Sequence, residues 1–175
     1  MKLDVNGVKI NIEHSKEIDM TKEYVLFLHG FTGCAEDWFP VFEQLPDKYN
    51  YIALDIVGHG KSDAPGNVDN YKLESIIAQI KFVKDHLTPN KVFLLGYSMG
   101  GRIALSYAAA NPDDVKGLIL ESATAGIKND EERQKRYEED LKLAEFIETH
   151  TLEEFIEMWH DQESVSYTDL TLPTN

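Results

Sequence analysis

Only one cysteine, Cys34, occurs in the 175 residues, so no disulfide can close within the chain and a reducing cytoplasm is the expected compartment. Long apolar runs are also missing. The longest, such as Val92 to Leu95, are strand-sized and far short of a membrane span. The opening residues, Met1-Lys2-Leu3-Asp4-Val5-Asn6-Gly7, hold no apolar core of a secretory leader. Basic charge is scarce: 17 Lys and Arg stand against 31 Asp and Glu. The net charge of −14 argues against nucleic acid or anionic membrane as a partner. Arginine is the rarest cation, present only at Arg102, Arg133 and Arg136. Its planar fork suits carboxylates, where lysine offers a mobile point charge. Repeats and low-complexity segments are absent, and nothing marks an oligomeric state. What remains is 42% hydrophobic and 27% charged, enough for a soluble domain with a core.

The apolar residues fall into two periods. Val8 to Glu13 alternates like a half-exposed antiparallel strand after a turn at Asn6-Gly7. Tyr24 to Leu28, Tyr51 to Leu54 and Val92 to Leu95 are continuously apolar, as strands covered on both faces are. Val115 with Leu118, Ile119 and Leu120 makes a further strand. Between them Leu73, Ile76, Ile77, Ile80, Val83 and Leu87 trace one face of a helix ending before Pro89. Ile103, Ala104, Tyr107 and Ala108 mark another. Strands alternating with helices predict an α/β fold with a mostly parallel sheet. From residue 128 to 160 the pattern is helical and charged, with stripes at Tyr137, Leu141, Ala144, Ile147 and at Leu152, Phe155, Ile156, Trp159. A helical insertion there reads as a cap. The expected division is core 1–127, cap 128–162 and tail 163–175.

Three motifs carry chemistry. Gly96-Tyr97-Ser98-Met99-Gly100 is G-x-S-x-G between a buried strand and a helix, where a sharp turn lifts a serine hydroxyl above the sheet. Ser98 is the candidate nucleophile. His29-Gly30-Phe31-Thr32-Gly33 follows an earlier buried strand and is placed to supply one backbone N–H to an oxyanion hole. That makes Phe31 and Met99 the candidate donors. Asp55-Ile56-Val57-Gly58-His59-Gly60-Lys61-Ser62 is a D-x-x-G-H-G-x-S turn, and its Asp55 and His59 read as turn-fixing. His29 reads as a residue that orients its loop.

In this order the motifs resemble the α/β-hydrolase fold. A closer resemblance rests on Phe27 to Gly33, on Gly96-Tyr97-Ser98-Met99-Gly100-Gly101-Arg102, and on Leu120-Glu121-Ser122-Ala123 through Gly126-Ile127-Lys128-Asn129 with Glu132-Arg133 and Arg136. These are similar to the 2-succinyl-6-hydroxy-2,4-cyclohexadiene-1-carboxylate synthases of menaquinone biosynthesis, as is the segment Phe155-Ile156-Glu157-Met158-Trp159. The resemblance implies a lyase that eliminates pyruvate from an anionic, polycarboxylate cyclohexene, without cofactor or metal. It implies that a histidine activates Ser98 and that the oxyanion hole holds the developing enolate. It further implies substrate-binding roles for Arg102, Arg133 and Trp159, with Tyr97 and His29 beside them and Arg136 matched less closely.

The family places its acid and its histidine after the serine, each on the loop behind a further strand. Here Asp161 and Asp169 follow Ser98, but no histidine follows either, and His150 and His160 read as surface positions on the helices. Beyond Gln162 the match ends. The expectation is an N-terminal portion of the enzyme, lacking the C-terminal strands, with the strand ending near Glu121 left as an unprotected sheet edge. Residues Tyr167 to Leu172 offer a substitute strand. Two other readings stay open: a carboxylesterase-like or C–C bond hydrolase, and a catalytically inert fragment that binds anions.

Overall fold

The computed structural model describes residues 1–161. It opens with an antiparallel hairpin of β1 (Lys2–Val5) and β2 (Val8–His14). Asn6 and Gly7 between them have φ of 55° and 86°, the positive pair that a type I′ turn requires. The four residues of β1 are too few to show a period, and the sequence reading misses it.

Four more strands follow: β3 (Glu23–Leu28), β4 (Tyr49–Leu54), β5 (Val92–Tyr97) and β6 (Val115–Glu121). The sheet order is β1-β2-β4-β3-β5-β6, parallel from β4 to β6, with β2 antiparallel on β4. Unbroken apolar runs have a plain reason here. Leu26, Leu28, Ile52, Leu54 and Leu94 pack in one cluster with Ile80 and Val83 of α2 (Leu73–Leu87) and Ile103, Ala104 and Tyr107 of α3 (Met99–Ala110). Their alternates Val25, Phe27, Tyr51 and Ala53 pack in a second cluster with Phe42 of α1 (Phe39–Gln44), joined by half-buried Trp38, Phe93 and Leu95. Each central strand is therefore covered twice. Helix α2 stops where expected: Thr88, ahead of Pro89, is extended at φ −162°. The short α1 escapes a period-based reading.

The chain steps outward from β3 to β4, then crosses back over β3 to β5. The gap between β3 and β5 is therefore the topological switch point of the sheet, the place where such sheets bind ligands.

At the opposite end, a buried ion cluster ties three elements together. Lys84 on α2 is only 3% exposed and lies 3.1 Å from Asp114 Oδ1, just ahead of β6. The Tyr107 hydroxyl of α3 donates to Asp114 Oδ2 at 2.9 Å, and Lys81 reaches the same oxygen at 3.2 Å. Burial pushes the Asp114 pKa up, but the bonds from Tyr107, Lys84 and Lys81 together outweigh it and hold it below the ordinary value. Asp114 thus contributes stability that is complete above the ordinary carboxylate range and lost as pH falls through its lowered pKa. Asp114→Ala leaves a buried lysine short of its main anion and is expected to cost about 3–5 kcal/mol. Urea titration at neutral pH checks this, and the difference from wild type should shrink in acid.

Strand β6 has no described partner on its outer side, and Ile119 and Leu120 are exposed there. The edge is not wholly unprotected. Val92 pairs with Val115 but Phe93 pairs with Gly117, so Lys116 is an extra residue bulged out of the ladder. Its ammonium pairs with Glu23 and lies 5.4 Å over the Phe93 ring.

Residues Met1–Gly126 form one compact unit, and a second begins at Ile127. The second contains α4 (Asp130–Thr149) and α5 (Leu152–His160). Asn129 caps α4 by accepting from the N–H groups of Glu131 and Glu132. Thr151 and Glu154 form a reciprocal capping box on α5. The expected stripe on α4 differs from what is found: Tyr137, Leu141, Ala144 and Ile147 are exposed, while Leu143 and Phe146 are half-buried. Charged residues lie all round this helix, so its apolar positions define no single face. His150 is exposed and stacks on Phe146 at 3.8 Å. Among the described residues no helix is long and apolar enough to cross a membrane. The side chain of His160 and the tail from 162 to 175, with Asp169 and the suggested strand Tyr167 to Leu172, lie outside the described residues.

Candidate active site

Strand register assembles the site. Leu28 at the end of β3 pairs with Gly96 in β5, and Tyr97 pairs with Glu121 at the end of β6. The loops after β3 and β5 therefore emerge side by side. Ser98 stands between β5 and α3 with φ 51° and ψ −111°, a conformation that costs about 1–3 kcal/mol in a non-glycine residue. The strain is held by close packing. Ser98 N–H donates to the Glu121 carbonyl at 2.9 Å. A Cβ on Gly96 would lie 2.4 Å from the Gly100 oxygen, and one on Gly100 would lie 2.3 Å from the Leu28 oxygen. Only glycine permits α3 to begin this close to β3. Ser98 stands at the N-cap position of α3 with its hydroxyl making no capping bond, and the helix's positive end favours an anion.

The His29 loop reaches Ser98 from the neighbouring strand. A methyl group placed on Gly30 would sit 3.7 Å from Ser98 Cβ and 3.1 Å from the Tyr97 ring. Gly30 is thus brought beside Tyr97 and Ser98. Phe31 is 40% exposed, and Met99 and Tyr97 are half-buried.

His29 itself is 2% exposed, and both of its ring nitrogens are engaged. Nδ1–H donates to the Gly30 carbonyl at 2.7 Å, and Nε2 accepts from Ile56 N–H at 3.0 Å. These partners fix the neutral tautomer. Burial lowers the His29 pKa, more strongly than its bond to Gly30 raises it. The ring has no free edge to offer a substrate or a proton from Ser98; its work is to hold the loop. Asp55, 2% exposed, accepts from Ala35 N–H, Lys61 N–H and Asn11 Nδ2, and it joins the D-x-x-G-H-G turn to the His29 loop and β2. The turn-fixing reading of Asp55 matches these bonds. Among the described residues no side chain hydrogen-bonds to the Ser98 hydroxyl.

Arg102 lies one turn into α3 from Ser98, exposed, with its N–H on the Ser98 carbonyl at 3.2 Å. In the second unit Arg133 donates to the carbonyls of Ile127 at 3.0 Å and Lys128 at 3.4 Å, and pairs with Asp130. Arg136 pairs with Asp140 at 2.8 Å. Such exposed pairs contribute about 0–1 kcal/mol and exchange readily for a ligand carboxylate. Trp159 is half-buried, with its ring 5.8 Å from Phe155.

A family profile described as the alpha/beta hydrolase fold matches residues 23–160. The 2-succinyl-6-hydroxy-2,4-cyclohexadiene-1-carboxylate synthase of Enterobacter sp. (strain 638) is 34% identical over 139 residues, 79% of this chain and 52% of the relative. A protein of Bacillus subtilis (strain 168), provisionally given the same name, is 43% identical over 139 residues, 79% of this chain and 50% of its own length. The solved structure of MenH from S. aureus superposes with a TM-score of 0.80 at 27% identity, over 92% of this chain and 60% of that one. The chain spans about half the length of the curated relatives it matches.

Proposed function

Because the chain belongs to the α/β-hydrolase fold family, we propose that it carries the nucleophile and oxyanion portion of a 2-succinyl-6-hydroxy-2,4-cyclohexadiene-1-carboxylate synthase. The observation that carries this reading is the strained Ser98 turn with Gly30 against it and Arg102 one turn away. In this reading a histidine takes the Ser98 proton, and the alkoxide removes a proton from the cyclohexene ring. Electrons then pass through the developing enolate, the ring C–O bond to the enolpyruvyl group breaks, and the leaving enolate takes up a proton to depart as pyruvate. The N–H groups of Phe31 and Met99 stabilise the enolate oxygen, each worth about 3 kcal/mol where such donors have been removed. Arg102, Arg133 and Trp159 bind the carboxylated substrate, with Tyr97 lining the pocket.

The histidine is the part the described residues do not supply, since His29 has both nitrogens committed. The test is therefore made on a completed chain: residues 1–160 joined to the portion of the Bacillus subtilis relative that this chain does not match. It should release pyruvate from the cyclohexene substrate. In Arg102→Ala, KM should rise by about 10- to 100-fold, the worth of a charged hydrogen bond, with turnover of neutral esters kept. The same elbow and oxyanion loop serve acyl transfer, so p-nitrophenyl ester hydrolysis is followed in parallel. Ester turnover with no pyruvate would decide for a serine hydrolase.

A further inference from the structure

We propose that His59, in the D-x-x-G-H-G turn, is a positioning residue for the oxyanion hole. Its two bonds differ in a way that decides what it does. Nδ1 faces the Val57 carbonyl at 3.2 Å, within its own turn. Nε2 faces the Phe31 carbonyl at 2.6 Å, across 28 residues of chain. Both oxygens are acceptors, and the shorter contact is the one that crosses to the oxyanion loop.

The target of that bond matters. Phe31 Cα lies between two peptide planes, and each is held by an imidazole. His29 grips the carbonyl of the first, Gly30, which also accepts from Gly33 N–H at 3.1 Å. His59 grips the carbonyl of the second, Phe31. In a trans peptide the C=O and N–H point in opposite directions, and no peptide in the described chain is cis. Holding the Gly30 oxygen therefore aims Phe31 N–H, the proposed oxyanion donor. Holding the Phe31 oxygen stops the residue rotating about its own φ and ψ. The Phe31 ring, 40% exposed, meets the His59 ring edge-on at 6.2 Å, and the two imidazoles that do the holding lie 5.0 Å apart. Asp55 anchors both ends of the arrangement through Lys61 N–H next to the turn and Ala35 N–H just past the loop.

The inference rests on the oxyanion reading above, so its test separates the two. His59→Asn places an amide donor near where Nδ1 stands, and His59→Gln places one near Nε2. The pair therefore keeps either the turn bond or the cross-loop bond. In the 175-residue chain the Phe31 carbonyl ¹³C shift and the exchange rate of Gly33 N–H are read by NMR, with a thermal melt. The Gln variant should keep the wild-type carbonyl shift and exchange to within about threefold. The Asn variant should lose the shift and exchange at least about tenfold faster, as expected for a local opening. In the completed chain, the rate at which a fluorophosphonate modifies Ser98 should fall in the same order, about tenfold or more in Asn, the scale of a misplaced catalytic group. The opposite ranking, or equal behaviour of the two variants, overturns the proposal and returns His59 to its turn. Neither NMR readout involves Ser98, so they judge His59 in this chain whatever the serine does, and an unreactive serine in the completed chain would count against the nucleophile alone.

Discussion

Ser98→Ala in the completed chain is expected to lower pyruvate release by about four orders of magnitude or more, the scale seen when a serine acting with its histidine is removed. The alanine keeps the turn, because nothing in the backbone around residue 98 depends on the hydroxyl: its N–H stays on Glu121 and its carbonyl on Arg102 N–H. What vanishes is the atom that exchanges the proton. Substrate should still bind, since the proposed carboxylate ligands are untouched, so kcat should collapse while KM changes little. Coupling pyruvate to NADH oxidation by lactate dehydrogenase measures both. Retention of more than a tenth of the turnover would show that Ser98 merely lines the pocket, and the lyase reading would need another base.

Gly100→Ala is expected to be the most damaging single-methyl change in the first unit. The added Cβ would lie 2.3 Å from the Leu28 oxygen and 2.5 Å from that of His29. Both are backbone atoms of a strand end, not side-chain tips that swing aside. β3 is pinned between β4 and β5, so α3 must withdraw instead. Withdrawal would strip Ile103, Ala104 and Tyr107 from the core they share with Leu26 and Leu28. Overpacking typically costs about 1–3 kcal/mol, and a clash against backbone belongs at or above the top of that range. A loss of about 3 kcal/mol corresponds to a Tm drop of roughly 6–12 °C for a chain of this size. Gly66→Ala is the control, since a Cβ there meets nothing within 4 Å. Equal melting temperatures for the two variants would refute the account of why the elbow needs its glycine.

The two substitutions probe features that the sequence shows to different degrees. Ser98 and its glycines are legible because a turn that tight tolerates few residues, so its chemistry is written locally. The buried strands are legible for a similar reason: a strand covered twice has no polar face. The His59 bond is not legible. It joins residues 28 apart through a side chain whose reach no spacing rule describes. His29 shows the limit from the other side. Its motif suggests proximity to substrate, yet whether its nitrogens are free depends on Ile56, a residue with no motif-level signal of that bond. Helix α4 misleads because apolar residues at helical spacing say nothing of how many charges surround them. The Lys84–Asp114 pair is invisible for a different reason, since both read as ordinary surface charges until folding buries the lysine.

The bulge at Lys116 limits what a second copy of the sheet can do. Two β6 strands related by a two-fold axis must run antiparallel, with residues opposite each other on one face. Pairing centred on Ile119 would set that residue against itself and Leu118 against Leu120, an apolar match flanked by Gly117 opposite Glu121. Toward the N-terminal end the extra residue breaks the ladder, leaving Gly117 to Glu121 as the regular stretch. Five residues, with Glu121 at one limit and a displaced lysine at the other, make a short and poorly cohesive seam. The same irregularity leaves the C-terminal half of β6, the part nearest Ser98, straight and in register with β5. The strand therefore resists a symmetric copy at one end while it keeps, at the other, the alignment on which the serine turn is built.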